Sequence, residues 1–589
     1  MINEKIRLIR EIMVEKKIDA YYITSSDFHE SEYIGDYFKV RGYITGFQGS
    51  FGSLLITKDK AILWTDSRYN VLAQKILTGT EVEVLTVGKI GTPDVKEWIK
   101  NNLSAGMTLA FDGRTISAKL GLEFKDYLGK VGIKINESFD IVDKFWLNRP
   151  KMPEGKAFLL TLDQAGEESS EKINKVLQEM KKEGADYNLV TSLDDIAWLL
   201  NMRGSDIKNT PVVLSNLIIG EEVTLYVEND KVAGAVSNSL IESGIKIKDY
   251  NEFYKDIKTI PEDKTILVDM NKVNIMLYEI ISKHKIIDRM NPSTILKGVK
   301  NSIEIKNIKD AHVKDGVAVT KFIYWLKNSI GKIEIDEISA QEKMDGLRAL
   351  QKGFIEPSFS TISAYMSNAA MPHYSATKTD FAKLENKGLY LIDSGGQYFD
   401  GTTDITRTIA VGDLTEEMKR DYTLVLKGMI NLSRAKFLHG TTGSNLDFSA
   451  RAAMWQYGIN YAHGTGHGIG YILGVHEGPH GIRQTHNPHS LVPGMIVTNE
   501  PGIYVVGSHG IRIENELLIT EFMKNTYGDF YQFETLTYAP IDLEPVIVDM
   551  LTCEEKCFLN DYHKSVYNIV ANYLEDDERK WLKDVTKEI

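Results

Sequence analysis

The chain is poor in cysteine, in proline, in positive charge and in long apolar runs, and each shortage excludes a class of protein. Cys553 and Cys557 are the only two thiols in 589 residues. That is too few for a disulfide framework, so a reducing, cytoplasmic setting is expected. Glu554-Glu555-Lys556 between them, with no third cysteine to help, speaks against a thiolate zinc site and for buried or idle thiols. With 14 prolines the chain is neither collagen-like nor a proline-rich disordered segment. Its 69 basic residues fall short of the 82 acidic ones, a formal charge of −13, which opposes attraction to phosphate backbones and anionic lipid. No nucleic-acid partner is expected. No run approaches the ~18 apolar residues of a membrane span. The opening MINEKIRLIREIMVEKK puts Ile2, Ile6, Ile9 and Met13 on one stripe, which reads as a core-facing helix and not as a signal peptide. No membrane association is expected.

What is present is a globular mixture, 43% hydrophobic and 26% charged, at a length that suits three or four domains of ~150 residues. Residues 18–69 alternate apolar runs (AYYIT, GSLLIT, AILWT) with polar turns and helical stretches, as an α/β domain does. At an offset of 167, Asp19 and the run ending Ile23-Thr24-Ser25 return as Asp186 and Val190-Thr191-Ser192. A helical stretch follows each copy (ESEYIGDYF; DIAWLLNM), and LLITKDKAILW has an echo in VTLYVENDKV, so two related domains are expected. The segment Asn148-Arg149-Pro150-Lys151-Met152-Pro153 suits an exposed crossing. After Asn291-Pro292 a long helical pattern begins, with Ile305, Ile308, Val319, Phe322, Ile323 and Leu326 as its apolar positions. The expected division is 1–150, 151–298 and 299–589.

Seven of the 13 histidines (His463, His467, His476, His480, His486, His489 and His509) lie within 47 residues, which invites a metal hypothesis. The string His476-Glu477-Gly478-Pro479-His480 matches the H-E-x-x-H zinc-protease pattern in letters only. That motif needs a helix to bring both imidazoles onto one face, and Gly-Pro in its middle breaks one. The nearby GTGHGIG fails as a dinucleotide loop, because Tyr471 stands where the third glycine belongs and no Walker lysine follows.

The carboxylates are more informative. Leu389-Tyr390-Leu391-Ile392-Asp393 is a buried-strand pattern ending in an acid, and Phe399-Asp400-Gly401 supplies a turn before Thr402–Thr406 returns, so a hairpin brings Asp393 and Asp404 together. Asp400 is read as a turn residue. Ile496–Glu500 again ends an apolar strand in an acid, and the alternation of Ile511–Leu517 places Arg512, Glu514 and Glu516 on one strand face. Burying several carboxylates together is costly unless cations neutralise them. Two divalent ions balance four carboxylates, and His467 among flexible glycines adds one imidazole. Such oxygen-dominated ligation points to Mn²⁺, with Co²⁺ or Zn²⁺ as alternatives. For any single acid, capping a turn and facing water is the competing reading.

In order and spacing, Asp393 to Asp404, HGTGH at 463–467, VHEGP at 475–479, NEPG at 499–502 and RIEN at 512–515 resemble the aminopeptidase P branch of the creatinase/methionine-aminopeptidase metallopeptidases. The likeness extends to the N-terminal IDAYYITSSDFHESEYI, GSFGSLLI and WTDSRY and to the tail from TLTYAPIDLEPVIVDML onward, which is similar to the three-domain cytosolic type. The resemblance implies two creatinase-like N-terminal α/β domains followed by a pita-bread catalytic domain of α+β type, and a homodimer joined through the latter. It implies that Asp393 chelates one metal, that Asp404 and Glu514 bridge two, and that His467 and Glu500 complete the set. Glu500 is the expected proton shuttle, with ligation alone as its other role. His373 and His476 match family histidines that flank the substrate and stabilise the oxyanion. His463 matches one lining the pocket on the proline side, or else packs behind it. Arg512 is placed with the substrate-binding side chains, or orients a ligand carboxylate from behind. His480, His486, His489 and His509 are expected to be loop histidines near the cleft.

The implied activity is hydrolysis of the N-terminal residue from short peptides with proline second, through a hydroxide bridging two ions. A prolidase confined to Xaa-Pro dipeptides, an inactive binding module on the same fold and a creatinase-like amidinohydrolase are the rivals. The length argues against the first. The complete ligand set argues against the second, and the full-length likeness against the third.

Overall fold

Short runs in which every residue is apolar become central strands, because a strand covered on both faces has no polar side to show. Ala20–Ile23 is one: all four residues are buried and it lies in the middle of a sheet. The computed structural model describes residues 1–589 and divides into two compact units, Met1–Thr161 with Glu167–Thr294, and Leu162–Gly166 with Ile295–Ile589.

The first unit holds two six-stranded sheets of one topology. In the first the spatial order is Val82–Thr86, Ala61–Thr65, Ser53–Thr57, Ala20–Ile23, Thr108–Ala110, Lys134–Asn136. In the second it is Ile245–Lys248, Val223–Val227, Ser215–Ile219, Tyr187–Val190, Thr265–Val268, Lys285–Asp288. Each sheet has two antiparallel pairs beside its first strand in sequence and parallel pairs outside them. The repeated aspartates do the same work in both. Asp19 accepts from Thr108 N and Asp186 from Thr265 N, each at 2.8 Å, so the residue before the central strand caps the start of its parallel neighbour. The echo of LLITKDKAILW is shifted by one strand, however. VTLYV matches Ala61–Thr65, and the partner of Ser53–Thr57 is Ser215–Ile219; neighbouring apolar runs of equal length cannot be told apart by period. The helix expected in ESEYIGDYF is a 3₁₀ turn, Asp36–Phe38, leading into the helix Val40–Thr45. The amphipathic N-terminus is the helix Ile2–Lys16, with Ile6, Ile9 and Met13 buried.

The second unit opens with the helix Ser302–Ser329, capped by Asn301, whose side chain accepts from Ile303 N and Glu304 N. Its Phe322, Ile323 and Leu326 pack on Tyr390, Ile392, Ile405 and Ile409 of a three-stranded sheet, Ile362–Tyr365, Leu389–Ser394, Ile405–Ala410. A six-stranded sheet runs Lys436–Leu438, Gly528–Thr535, Asn515–Asn525, Ile496–Asn499, Gly466–Gly468, Glu477–Ile482. The helices Glu416–Ser433, Gly443–Trp455 and Cys553–Val570 share a core through Leu426, Met429, Met454, Leu559 and Val566. The strap Leu162–Gly166 joins this unit: Tyr471 donates to Gln164 O at 2.8 Å and Asn301 Nδ2 to Ala165 O at 2.9 Å. Cys553 and Cys557 are exposed on their helix, so they are free but not buried. No helix is long and apolar enough to cross a membrane.

Candidate metal centre

Every residue of Leu389–Ser394 is buried, and the strand pairs antiparallel with Ile405–Ala410, Asp393 opposite Thr406. The intervening residues fold away as a small hairpin, Gly396–Tyr398 with Gly401–Thr402, so Asp393 and Asp404 emerge at one end of the ladder. Asp400 sits in that turn and pairs with Lys314. His467 arrives on Gly466–Gly468, a strand pressed so close to its neighbour that a Cβ on Gly466 would lie 1.9 Å from Thr498 O. Thr498 Oγ1 accepts from His467 N at 3.1 Å and donates to Glu500 Oε1 at 3.3 Å, tying the imidazole strand to the acid two residues on. Ile511–Leu517 is not one strand. His509–Arg512 pairs with Gly502–Val505, and Asn515–Asn525 with Ile496–Asn499, so Ile513 and Glu514 form the crossing between two partners. Arg512, Glu514 and Glu516 still point into one cluster.

The ligand atoms of Asp404, His467 and Glu514 lie within 4.8 Å of one another. His467 Nε2 is 3.5 Å from Asp404 Oδ2 and 3.6 Å from Glu500 Oε1, too long for hydrogen bonds and suited to atoms sharing an ion at ~2.1 Å each. Its Nδ1 donates to Gly468 O at 2.9 Å, which leaves the Nε2 lone pair facing the acids. Asp393 Oδ1 is buried without a hydrogen-bond partner, while Oδ2 accepts from Arg512 Nη2. Burial first, then repulsion from Asp393, Glu500 and Glu516, holds the Asp404 carboxyl well above the usual aspartate range. Burial, with Asp404, Glu500 and Asp393, does the same to Glu514. Burial also raises Glu500, against the pull of His467 and Arg512. Four carboxylates against one guanidinium is a deficit of positive charge that divalent cations fill, and the oxygen-rich donors, the lone pair of His467 and the orphaned Asp393 oxygen fit such ions.

Arg512 lies behind the cluster, 2% exposed. Besides Asp393 it donates to Tyr504 Oη at 2.7 Å, Thr406 Oγ1 at 3.2 Å and Pro372 O at 3.3 Å. Burial opposes its charge, but Tyr504, Asp393, Glu500 and Glu514 push its pKa well above the ordinary value. Its contact with the Asp393 carboxylate is the one that the carboxylate-orienting reading of Arg512 expects. His463 Nδ1 donates to Gly464 O at 2.7 Å, so its Nε2 accepts from Tyr504 Oη at 2.9 Å. His476 packs edge-on against His467, ring centroids 4.3 Å apart. His373 follows Pro372, whose carbonyl Arg512 holds.

His480 and His509 are strand residues and not loop residues. His480 donates from Nε2 to Ile496 O at 2.8 Å, and burial lowers its pKa to about 3. His509 is buried 3.2 Å from Asp421. His486 and His489 lie in the loop after Ile482. His476 is a bend and Glu477–Ile482 a strand, so the string is not helical, as the Gly-Pro argument expects. Thr406, Thr498 and Tyr504 were not foreseen. Thr406 Oγ1 donates to Glu514 at 2.6 Å, and its only signal was being two residues from Asp404 on the same strand side.

Residues 306–521 match the model of metallopeptidase family M24, residues 529–589 that of the C-terminal region of peptidase M24, and residues 5–138 and 148–304 two models of the creatinase/prolidase N-terminal domain. Xaa-Pro aminopeptidase 1 of Dictyostelium discoideum is 36% identical over 615 residues, covering 100% of this chain and 96% of that protein. The chain belongs to the Xaa-Pro aminopeptidases of family M24. Its fold is that of the family, creatinase-type α/β sheets followed by the pita-bread metallopeptidase domain. The crystal structure of the Caenorhabditis elegans X-prolyl aminopeptidase, described as a cytosolic enzyme with a di-nuclear active site, superposes with a TM-score of 0.96 at 32% identity over 100% of both chains. A prolidase from Pyrococcus horikoshii gives 0.50 at 26% identity, covering 99% of its own chain and 63% of this one.

Proposed function

We propose that the chain is a metal-dependent aminopeptidase that removes the first residue from peptides with proline second, using two divalent ions, Mn²⁺ foremost, held by Asp393, Asp404, His467, Glu500 and Glu514. The observation that carries this reading is the convergence of these five side chains on one buried cluster with Arg512 braced behind Asp393. When bound, the ions supply an acidified water as nucleophile and polarise the scissile carbonyl. Glu500 would accept a proton from the attacking water and return it to the departing proline nitrogen, which comes from a tertiary amide and needs one to leave. His476 and His373 donate toward the oxyanion of the tetrahedral adduct. His463, aligned through Tyr504 on Arg512, lines the side where the pyrrolidine ring sits.

The prolidase reading is the closest alternative, and the Pyrococcus enzyme leaves over a third of this chain unmatched. We further propose domains at 1–150, 151–298 and 299–589, a homodimer joined through the last and a cytoplasmic setting like that of the nematode enzyme. The test is hydrolysis of an Xaa-Pro-Xaa tripeptide beside an Xaa-Pro dipeptide, with metal-free protein and with added Mn²⁺. Release of the first residue from the tripeptide only with metal is expected. Cleavage of the dipeptide alone makes the chain a prolidase, and no cleavage of either by the Mn²⁺-loaded protein refutes both.

A further inference from the structure

Behind the cluster sits a carboxylate that no role above employs. Glu516 is fully buried on the strand Asn515–Asn525, opposite Thr498. Its Oε1 accepts from the backbone N of Asp404 at 2.7 Å. Its Oε2 lies 3.1 Å from Nε2 of His312, a fully buried residue of the helix Ser302–Ser329. Neither that oxygen nor either ring nitrogen has a hydrogen-bond partner, so the two groups face each other at ion-pair distance with no other polar atom to turn to. A further negative charge beside Asp393, Asp404, Glu500 and Glu514 is unfavourable in itself, and an apolar side chain of similar volume would avoid the penalty. What the carboxylate offers in return is position. The ladder between Leu389–Ser394 and Ile405–Ala410 starts with Ser394 opposite Ile405, so Asp404 lies one residue outside it and its N–H has no strand partner. A charge-assisted hydrogen bond from the Asp404 N–H to Glu516 takes that place and sets the peptide plane from which the Asp404 side chain projects.

We propose that Glu516, held in place by His312, is the positioning residue that aims Asp404 at the divalent ions. The inference rests on the reading of Asp404 as a metal ligand. In this role His312 carries its proton on Nε2, facing Oε2 at 3.1 Å, which leaves Oε1 for Asp404. A glutamine at 516 serves both contacts only if His312 moves its proton to Nδ1, where the buried N–H has no acceptor, so the substitution costs one contact or the other. A glutamine at 312 still offers a donor to Oε2, and a leucine does not.

The experiment titrates the metal-free, full-length chain with Mn²⁺ by calorimetry, and follows thermal unfolding of the metal-free proteins alongside. Wild type is expected to bind two ions. Glu516→Gln and His312→Leu are expected to bind them ~10–100-fold more weakly, while His312→Gln stays within ~3-fold of wild type, the difference between a lost and a kept donor. With Mn²⁺ at saturation, Glu516→Gln should lower kcat and leave KM for the peptide unchanged. Folded Glu516→Gln and His312→Leu that bind Mn²⁺ like wild type overturn the proposal. Equal losses in His312→Leu and His312→Gln also overturn it, since they mark a packing role. If Glu516→Gln does not fold, the two His312 variants decide alone. A wild-type chain that binds no Mn²⁺ brings down the reading of the centre and this inference with it, and shows itself before any variant is compared.

Discussion

At the scale of single residues, the centre depends on how many separate directions one side chain can satisfy. Arg512 serves Asp393, Tyr504, Thr406 and the carbonyl of Pro372 together, which a planar fork of five donors does and a point-charge ammonium does not. Arg512→Lys should therefore keep the fold and the charge yet weaken Mn²⁺ binding by ~10–100-fold, read by equilibrium dialysis, because Asp393 loses its anchor. Glu30 poses a different problem. It is half-buried in the left-handed backbone region at φ 54, with Oε1 buried and lacking a partner, Ser26 donating to Oε2 at 3.0 Å and Asp27 close by, while Lys272 donates to its backbone carbonyl. Burial first, with Asp27 adding to it, raises its pKa from 4.5 to about 8. Between those two values the folded chain keeps a proton that the unfolded chain has lost, so this residue makes stability fall as pH rises through that window, by at most about 5 kcal/mol. Glu30→Gln should melt with wild type near pH 4.5 and above it at pH 8, as thermal scans at the two pH values will show.

At the scale of elements, close strand approach sets the ligand spacing. Gly466 permits the strand bearing His467 to lie against the strand that leads to Glu500, and the Cβ of an alanine would meet the carbonyl of Thr498. Gly466→Ala should cost about 1–3 kcal/mol by forcing the strands apart, and the folded fraction should bind less Mn²⁺; calorimetric unfolding and metal analysis of the purified protein check both. The same elements show what sequence can reveal about such a site. Asp393 and Glu500 were legible because each ends an apolar run with an acid, and Asp404 because a turn returns it to the first. The break at Ile513-Glu514 was not, since alternation continues through a point where the strand changes partners. Tyr504 was missed because a tyrosine on an apolar strand reads as packing until Arg512 and His463 are seen at its hydroxyl. His480 and His509 looked like loop residues because histidine density concealed the strands they belong to.

At the scale of the molecule, the repeat within the first unit makes two distant positions equivalent. Asp19 and Asp186 cap matching strands at matching distances, so Asp19→Ala and Asp186→Ala should each cost about 1 kcal/mol, and the double variant their sum, measured by thermal unfolding of that unit. The 167-residue offset was visible because both the aspartate and the strand after it survive. The strand-by-strand match was not, because one apolar run of five resembles the next. The strap Leu162–Gly166 carries a consequence for how the chain is made. It leaves the ribosome in the middle of the first unit, yet the hydroxyl that holds Gln164 belongs to Tyr471. At ~5–20 residues per second, these five residues wait about 15–60 s for that partner. Through that interval the nascent chain completes its first unit while Leu162–Ala165, a single helical turn, still lacks the hydroxyl that holds Gln164.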